Sequence, residues 1–439
     1  MDRQQRRSRW RGRMTAAALA LACAAGLTAA VAAPATAEPV SAFYVPPAQV
    51  PATPGTIIKT QPLSLFATLP TEQGWPGKGE LIMYSSTLQD GSPVATTGTY
   101  IAAAGPWLGP GPRPTVVIAP GTSGQADRCA MSVAFSTGLT AFMDPSPSIS
   151  ANQELPSSAA WAGLGANVVI PDYIGLGTPG IHTYGNRFEQ GHAVLDAARA
   201  ANTLAGVGPE TPLVFWGYSQ GGGATASANE LLPEYAPELN LKGIWAGGPT
   251  ADLSAILDKI DGALIGGAIG YAINGMLARF PELQLALQRV SSPSGKDMLA
   301  TLGETCIGDL IFRHPFLRTN SLTVDGRSLG EHLTDLPEAA PVLAELKVGT
   351  LKPHAPVLIT SGRHDDTVPY GQAKQLAHDW CGLGGTVEFR TNELPPILPG
   401  FTIPNHFGPE LIDGFSPNSV IAYLLDRLAD KPISGCSID

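Results

Sequence analysis

The sequence is poor in positive charge, in cysteine and, beyond its first forty residues, in long apolar runs. Lysine and arginine number 27 against 37 aspartates and glutamates, which gives a formal net charge of −10. Such an acidic balance disfavours binding to nucleic acid or to anionic membrane surfaces. The five cysteines include no C-x-x-C pair, which argues against a zinc site. No later segment is long enough to cross a bilayer, so no transmembrane anchor is expected in the mature chain.

The N-terminal segment has the three parts of an export signal. Six arginines lie within residues 2–13, an alanine-rich apolar run follows over about 14–33, and Ala35-Thr36-Ala37 is typical of a cleavage site. We predict that residues 1–37 are a signal peptide and that the protein is secreted and extracellular. The alternatives are a membrane anchor and a lipoprotein signal at Cys23. Without this segment 21 basic and 36 acidic residues remain, a charge of about −15.

The mature chain keeps four cysteines, namely Cys129, Cys306, Cys381 and Cys436. An even number in an exported chain predicts two disulfides. Spacing alone does not choose among the three possible pairings, and buried free thiols are the alternative.

Short apolar runs alternate with amphipathic stretches along most of the mature chain. Two early strands are predicted at 80–86 and 97–102, and six more at 115–119, 167–170, 213–216, 242–245, 357–360 and 387–390. Most of the six are almost wholly apolar, as strands buried on both faces are. Helical patterns lie between several of them, for example at 188–204 and 371–380. The alternation predicts an α/β fold with a mostly parallel sheet flanked by helices.

The pattern also suggests a domain organisation. Residues 38–75, rich in Pro, Ala and Thr, are predicted to be an extended N-terminal arm, and residues 76–250 and 352–439 to be the core. Residues 251–351 contain no clear buried strand, but helical stretches at 253–260, 263–280, 283–290 and 329–346, the last interrupted at Pro337 and Pro341. We predict that they form an inserted helical cap or lid over the C-terminal edge of the sheet. A helical extension remote from the site is the alternative.

The pentapeptide Gly217-Tyr218-Ser219-Gln220-Gly221 matches the pattern G-x-S-x-G. In a chain with 50 glycines the bare pattern is weak, but a strand run ends directly before it and a helix-forming run, 224–232, starts soon after. That order is the one a nucleophile elbow requires, on a strained turn that exposes the serine hydroxyl. We therefore predict Ser219 as a nucleophile, with a glycine-rich turn of no chemistry as the alternative.

A serine nucleophile needs a base to take its proton and an acid to orient that base. With this elbow the chain order is serine, acid, histidine, which leaves His378 and His406 as bases. His406 lies in a loop after the last strand run and is preferred, because His378 lies within an amphipathic helix. The acid is predicted just past the strand run 357–360, where Asp365 has the D-x-x-V-P spacing. Asp366 is the alternative acid, and otherwise a turn cap that binds its own backbone.

Other polar residues near strand ends are assigned structural roles. His182 and His192 precede Ser219 in the chain, and His364 adjoins the acid, so none is preferred as the base. Asp172 also precedes Ser219 and is predicted to fix the loop that follows it.

Stabilisation of an oxyanion needs two hydrogen-bond donors. The backbone N–H of Gln220 is the first. The second is predicted in the loop 120–124 after the strand run 115–119, with Thr122 as the best single candidate. A simple strand-ending turn is the alternative reading of that loop.

Four blocks of sequence resemble the secretory lipase family of yeasts and actinomycetes, the lipase A type. They are residues 127–130, 172–177, 217–222, and 365–370 together with Asn405-His406. The resemblance extends from about residue 70 to residue 436. It implies an α/β-hydrolase fold, a triad of Ser219, Asp365 and His406, a cap that carries an acyl tunnel, and disulfides Cys129–Cys306 and Cys381–Cys436. In this family an acidic side chain in the loop after the first buried strand can help form the oxyanion hole, and here Gly121-Thr122-Ser123 occupies that place.

The function predicted is that of a secreted carboxylic ester hydrolase, a triacylglycerol lipase or esterase that acts on ester or lipid substrate, also at an oil–water interface. No metal or organic cofactor is needed for this chemistry. A serine aminopeptidase is the second reading. The apolar cap segment 263–280 has no acidic cluster to bind an amino terminus, which argues against it, although the cap also carries Glu282 and Glu304. An acyltransferase would share the same residues. A binding protein without activity is a third reading, against which the complete set of three residues argues.

Overall fold

A computed structural model of the chain describes residues 40–66, 75–142, 148–416 and 419–439. The predicted signal peptide, 1–37, lies outside the described residues. The strands are β1 Ile57–Leu63, β2 Gly77–Thr87, β3 Pro93–Ala103, β4 Thr115–Ala119, β5 Leu139–Phe142, β6 Ser148–Ala151, β7 Asn167–Pro171, β8 Leu213–Tyr218, β9 Leu241–Gly247, β10 Val357–Gly362, β11 Val387–Asn392 and β12 Cys436–Ile438.

Ten of these strands form one mixed sheet, in the order β1-β2-β3-β7-β4-β8-β9-β10-β11-β12. The strands from β7 to β12 in that order run parallel to one another, whereas β1, β2 and β3 are antiparallel additions at one edge. β5 and β6 make a separate antiparallel pair. The prediction of an α/β fold with a mostly parallel sheet is confirmed.

The central strands are buried along their whole length, because helices cover both faces of the sheet. Every residue of β4, β8 and β10 is buried. Successive residues of β4 alternate between the two layers: Val116 and Ile118 join one apolar cluster, Val117 and Ala119 the other. β11 alternates in burial, as its sequence predicts for a strand near the sheet edge.

The antiparallel edge begins earlier than its sequence suggests. Within 38–75, for which an extended arm is predicted, Ile57–Leu63 pairs with β2 as the outermost strand. Its residues are exposed or half-buried, so no buried face marks it as a strand.

The core helices are α1 Met131–Ala134, α2 Leu155–Gly163, α3 Arg187–Ala205 and α4 Gln220–Tyr235. α3 begins where the Asn186 side chain accepts hydrogen bonds from the N–H groups of Phe188 and Glu189, and it ends at Gly206, whose φ is +65°. A side-chain cap and a left-handed glycine are the usual helix boundaries. α3 and α4 pack together against one face of the sheet.

Residues between β9 and β10 are helical and carry an apolar cluster of their own. The helices are α5 Leu253–Ile260, α6 Ala268–Arg279, α7 Glu282–Val290, α8 Pro293–Leu302, α9 Ile307–Arg313, α10 Leu329–Asp335 and α11 Ala339–Leu346. The helix predicted over 263–280 begins only at Ala268, and α8 and α9 are absent from the prediction. The break predicted at Pro337 occurs, whereas Pro341 lies in the first turn of α11, where its missing N–H is not needed.

The final helices are α12 Tyr370–Gly382, α13 Gly408–Phe415 and α14 Val420–Leu428. A one-turn π-helix, Ile403–Phe407, leads directly into α13. α14 packs on the face of the sheet opposite to α3 and α4, and there Leu424 belongs to the same apolar cluster as Trp216.

The helical segment between β9 and β10, for which a cap is predicted and which keeps that name below, is joined to the core by both covalent and polar contacts. A disulfide links Cys129, after β4, to Cys306 at the start of α9. The amide of Gln125 donates to the carbonyls of His182 and Tyr271 at 3.0 Å each, and so bridges the core loop to α6. A Cβ on Gly275 would lie 2.8 Å from the backbone nitrogen of Tyr184, so only glycine lets α6 approach that closely. These contacts hold the cap against loops at the C-terminal ends of β4 and β7.

Candidate active site

Ser219 occupies a strained turn between β8 and α4. Its φ of +57° and ψ of −118° lie outside the regions that non-glycine residues favour. A Cβ on Gly217 would come within 2.1 Å of the Gly221 carbonyl oxygen, and a Cβ on Gly221 within 1.9 Å of the Ala119 carbonyl oxygen. The two flanking glycines are therefore steric requirements of the turn. The turn places Ser219 at the N-terminus of α4, where the helix dipole favours negative charge.

Asp365 and His406 form a buried hydrogen-bonded pair. The Nδ1 of His406 lies 2.7 Å from Oδ2 of Asp365. The other carboxylate oxygen, Oδ1, accepts hydrogen bonds from the N–H groups of Thr367 and Val368 at 2.8 and 2.9 Å. Those bonds fix the carboxylate, and the carboxylate in turn fixes the orientation of the imidazole.

The imidazole of His406 lies beside the elbow, with its ring centroid 5.1 Å from that of the Tyr218 ring. Nε2 is buried and makes no hydrogen bond to any residue that the structure describes. The Tyr218 hydroxyl donates to the His406 carbonyl at 2.7 Å, and a Cβ on Gly248 would lie 3.6 Å from the His406 ring. Gly248 follows β9 and Tyr218 precedes Ser219. The fold thus brings the serine, the acid and the histidine together at the C-terminal edge of β8, β10 and β11.

Asp366 has a different partner from the one its sequence suggests. Its Oδ2 accepts from the backbone N–H groups of Gly400 and Thr402, at 2.8 and 3.3 Å, and from the Asn405 amide at 2.8 Å. The expectation that it caps its own turn is wrong in this respect, because its bonds reach 34 to 39 residues along the chain. Asp366 anchors the loop that carries His406, in which Thr402 has a φ of +54°.

The loop after β4 abuts the first turn of α4. Within this loop the hydroxyls of Thr122 and Tyr184 are hydrogen-bonded to each other at 2.9 Å. The Gly121 N–H donates to Oε1 of Glu154 at 3.0 Å. The amide of Gln220 is held inside by His182 and Gln190 at 2.9 Å each. Its side chain therefore faces away from the site, and its backbone N–H stands at the start of the helix. Because Tyr184 already engages the Thr122 hydroxyl, Thr122 as second oxyanion donor stays a prediction.

Similarity to known proteins decides the family. Residues 150–435 match the secretory lipase family. The chain belongs to that family. The resemblance predicted from its sequence blocks is confirmed, and the chain is a secreted, lipase-type hydrolase.

Relatives of this secretory lipase include proteins named as triacylglycerol lipases and one named as a probable inactive lipase. A secreted triacylglycerol lipase of Malassezia globosa is 27% identical over 408 residues, which cover 90% of this chain and 79% of the relative. A probable inactive lipase of Mycobacterium tuberculosis is 28% identical over 404 residues, with 89% and 82% covered.

Solved structures give the same fold. Candida antarctica lipase A in its closed state superposes with a TM-score of 0.73 at 22% identity, covering 91% of this chain and 89% of that one. A rice cell wall degrading esterase of Xanthomonas oryzae gives 0.67 at 19% identity, covering 86% and 99%. The α/β-hydrolase fold is confirmed.

The lipase also holds two carboxyl groups that interact electrostatically and that no local sequence pattern indicates, buried Glu154 and half-buried Glu410. Burial raises the pKa of Glu154 above its usual range, although the N–H of Gly121 favours its ionised form. Burial and the charge of Glu154 raise the pKa of Glu410, which lies four residues after His406. Glu154 thus holds the loop 120–124 through the Gly121 N–H, and its charge acts on Glu410 in the first turn of α13. In the sequence, Glu410 is marked only by its position four residues, or about one helical turn, after His406.

The remaining histidines lie outside the predicted triad. His182 is buried, its Nδ1 lies 3.2 Å from the Ile174 carbonyl oxygen, and burial lowers its pKa to about 4. It is therefore neutral at physiological pH, with Nε2 as acceptor for Gln220. His192 stacks on Tyr235 at 3.9 Å. His378 and His364 are exposed.

Asp172 has a structural role, but its hydrogen-bond donors precede it in the chain, whereas the prediction placed them in the loop that follows it. It accepts from the backbone N–H and hydroxyl of Ser132, at 2.8 and 2.5 Å, and from the Thr97 hydroxyl at 2.7 Å. It joins β7 to α1 and β3, and the following loop is not among its partners in these bonds. Burial raises its pKa to about 6.

The four cysteines of the mature chain form two disulfides. Bonds join Cys129 to Cys306 and Cys381 to Cys436, as the family resemblance implies. Within the described ranges no cluster of three or more His, Cys, Asp or Glu could hold a metal ion. Nor does any helix in those ranges have the length and apolarity needed to cross a membrane.

Proposed function

We propose that this lipase hydrolyses carboxylic esters, with triacylglycerols as its substrate class, through Ser219, His406 and Asp365 and an acyl-enzyme intermediate. The observation that carries the proposal is the buried 2.7 Å contact between His406 Nδ1 and Asp365, beside a serine on a strained elbow. Relatives named as triacylglycerol lipases support the substrate class.

In the proposed reaction the Ser219 hydroxyl attacks the ester carbonyl while His406 Nε2 takes its proton. Asp365 holds the imidazole and stabilises the imidazolium that forms. The tetrahedral intermediate collapses as the imidazolium gives its proton to the leaving alcohol. Water then attacks the acyl-enzyme with His406 again as base, and Ser219 is regenerated. Because Nε2 has no other hydrogen-bond partner in the described residues, it is available for each of these transfers.

Negative charge on the substrate oxygen would be stabilised by the N–H of Gln220 and by the dipole of α4. A second donor would come from the loop after β4, whose Gly121 N–H is bound to Glu154. Loss of one donor of this kind typically costs about 3 kcal/mol of transition-state stabilisation.

The cap favours an acyl chain over a peptide. Its helices pack on an internal cluster of apolar side chains, and the two acidic residues considered for binding an amino terminus, Glu282 and Glu304, are exposed on its surface. Neither of these two carboxylates is buried in the cap, where it could hold the amino group of a peptide. An ester of a fatty acid therefore fits better than an aminopeptidase substrate.

Hydrolysis of p-nitrophenyl esters from acetyl to palmitoyl would test the proposal, on purified wild type beside Ser219→Ala, Asp365→Asn and His406→Ala. We expect each substitution to lower kcat by about 10⁴ or more. His378→Ala is the matched control, because it removes the alternative base and should leave turnover unchanged. Turnover that survives Ser219→Ala, or that His378→Ala abolishes, would refute the assignment. An inactive wild type would align this chain with the relative named as inactive.

A further inference from the structure

Residues 182–184, His-Thr-Tyr, form a short buried segment between β7 and α3. Each of the three is at most 9% exposed, although none belongs to a helix or a strand. Buried polar side chains are nearly always hydrogen-bonded, so the partners of such a segment show what it holds in place. Here the partners lie on the elbow, on the loop after β4 and, through Glu189, on the cap.

His182 holds the residue that follows the predicted nucleophile. Its Nε2 lies 2.9 Å from the amide nitrogen of Gln220, which also donates to Oε1 of Gln190 at 2.9 Å. The imidazole is itself fixed, because Nδ1 lies 3.2 Å from the Ile174 carbonyl oxygen and the ring stacks on Tyr173 at 5.8 Å. His182 thus fixes the side chain of the residue whose backbone N–H is the first oxyanion donor of the proposed reaction.

Tyr184 holds the loop 120–124, from which the second donor is expected. Its hydroxyl is hydrogen-bonded to that of Thr122 at 2.9 Å, and both side chains are buried. The rings of His182 and Tyr184 meet edge-on at 6.0 Å. Two side chains of one short segment therefore hold the two donor-bearing elements, and a shift of one element relative to the other would deform that segment.

The cap supports this segment from the other side. The contacts come from one face of α6, at positions spaced four residues apart, namely Tyr271, Gly275 and Arg279. The Tyr271 ring meets the Tyr184 ring at 6.1 Å, and a Cβ on Gly275 would lie 2.8 Å from the Tyr184 backbone nitrogen. Arg279 pairs with Oε1 of Glu189 at 2.6 Å, and Oε2 of Glu189 accepts from the Thr183 hydroxyl at 2.6 Å.

We infer that residues 182–184 are a positioning element that keeps the two oxyanion donors aligned, with α6 as its support. The inference rests on the proposed function, because it names what aligns the donors of that reaction. His182 and Tyr184 act through Gln220 and the loop 120–124 and need not touch the substrate. Because the donors act on charge that develops in the transition state, their misalignment should lower kcat and leave KM nearly unchanged.

Two variants that each remove one hydrogen bond and keep an aromatic ring test the inference. Tyr184→Phe removes the hydroxyl that binds Thr122, and His182→Phe removes the acceptor of the Gln220 amide. We expect each to lower kcat for p-nitrophenyl butyrate by about ten-fold or more per titrated site, with KM within about two-fold of wild type. His182→Gln offers the Gln220 amide an oxygen acceptor again and should recover most of the lost kcat.

Tyr44→Phe is the matched control. The Tyr44 hydroxyl is also buried and also bonds a hydroxyl, that of Ser132, at 2.8 Å, on residues that the proposed reaction does not use. It loses the same kind of bond as Tyr184→Phe, so it should be similarly destabilised and keep wild-type kcat and KM.

Binding of an alkyl trifluoromethyl ketone, followed by fluorine NMR, gives a readout that needs no turnover. The Ser219 oxygen adds to the ketone carbonyl, the hydroxyl proton passes to His406, and the hemiketal oxyanion takes the place of the substrate oxygen. We expect its Kd to rise by about ten-fold or more in Tyr184→Phe and to stay unchanged in Tyr44→Phe.

The outcomes separate the inference from the proposed function. Wild-type kcat and Kd in Tyr184→Phe would overturn the inference, and so would an equal loss in Tyr44→Phe or an effect on KM alone. If the wild type hydrolysed no ester but bound the ketone, the proposed function would be refuted and the change in Kd would still decide the inference. If it neither hydrolysed esters nor bound the ketone, both would be refuted.

Discussion

Replacement of Asp366 by alanine removes one acceptor that three donors of the His406 loop share. The donors are the N–H groups of Gly400 and Thr402 and the amide of Asn405. A hydrogen bond to a charged group contributes roughly 1.5–3 kcal/mol, and bonds that share one oxygen do not add fully. We expect the free energy of unfolding to fall by about 3–5 kcal/mol.

The same substitution should also lower catalysis. Without its anchor the strained backbone at Thr402 can relax, and His406 moves with it. A displacement of about 1 Å at a catalytic group can cost roughly 100-fold in rate. We therefore expect kcat to fall about 100-fold with KM nearly unchanged. Asp366→Asn keeps one acceptor oxygen without the charge and should be intermediate in both stability and kcat.

The assay combines urea denaturation with turnover of p-nitrophenyl butyrate, normalised to the sites titrated by a phosphonate ester. Normalisation matters because unfolded protein lowers activity without changing kcat per site. A variant that is less stable but has wild-type kcat per titrated site would refute the positioning role of Asp366. If Asp366→Ala were as stable as wild type, the loss in free energy of unfolding derived from the three hydrogen bonds would be refuted.

Three further predictions concern steric fit and buried charge. Gly221→Ala should lower the free energy of unfolding by more than about 4 kcal/mol and abolish soluble expression, because the new Cβ would collide with the Ala119 carbonyl oxygen. Gly371→Ala, which has open space around it, should raise the free energy of unfolding by roughly 0.5–1 kcal/mol. Thermal unfolding and soluble yield test both predictions. Burial and the nearby Glu304 raise the pKa of Asp127 to about 7, so its carboxyl destabilises the fold progressively as pH rises from about 4 through 7. Asp127→Asn should therefore gain roughly 1–3 kcal/mol relative to wild type between pH 4.5 and pH 8, and an equal difference at both pH values would contradict this. Glu154→Gln keeps an acceptor for the Gly121 N–H in the loop 120–124 and should retain most activity, whereas Glu154→Ala should lower kcat by about ten-fold or more. Equal kcat values per titrated site for the two variants would contradict a positioning role of Glu154.

The sequence predicts the parts of the fold that depend on local pattern. The apolar runs locate the strands from β2 to β11 of the main sheet, because the central strands are buried on two faces and little else in the chain has that composition. α8 and α9 escape prediction since Pro293, Gly295 and short length weaken their helical pattern, and packing in the cap supplies their stability instead. β1 escapes because an edge strand shows no buried face.

The candidate site likewise has residues that the sequence predicts and residues whose contacts only the fold reveals. Ser219 is predictable because the elbow is a local sequence feature, and Asp365 and His406 because chain order restricts the choice. Asp366 and Glu154 act through partners 34 to 39 and 33 residues away, so their contacts follow from the fold and not from their neighbours in sequence. The pairing of the cysteines is likewise a property of the fold, since spacing permits three arrangements.

The disulfide between Cys129 and Cys306 has a mechanical consequence. It joins cysteines 177 positions apart and fixes one point of the cap to the core beside the loop 120–124, where Gly124 pairs with Cys306. The start of α9 must therefore stay beside the loop 120–124, whatever the rest of the cap does. The contacts of Leu264 and Phe316 with the His406 loop are non-covalent and carry no such restraint. A rearrangement of the cap could change those contacts, whereas the contact at Cys306 would persist for as long as the disulfide is intact.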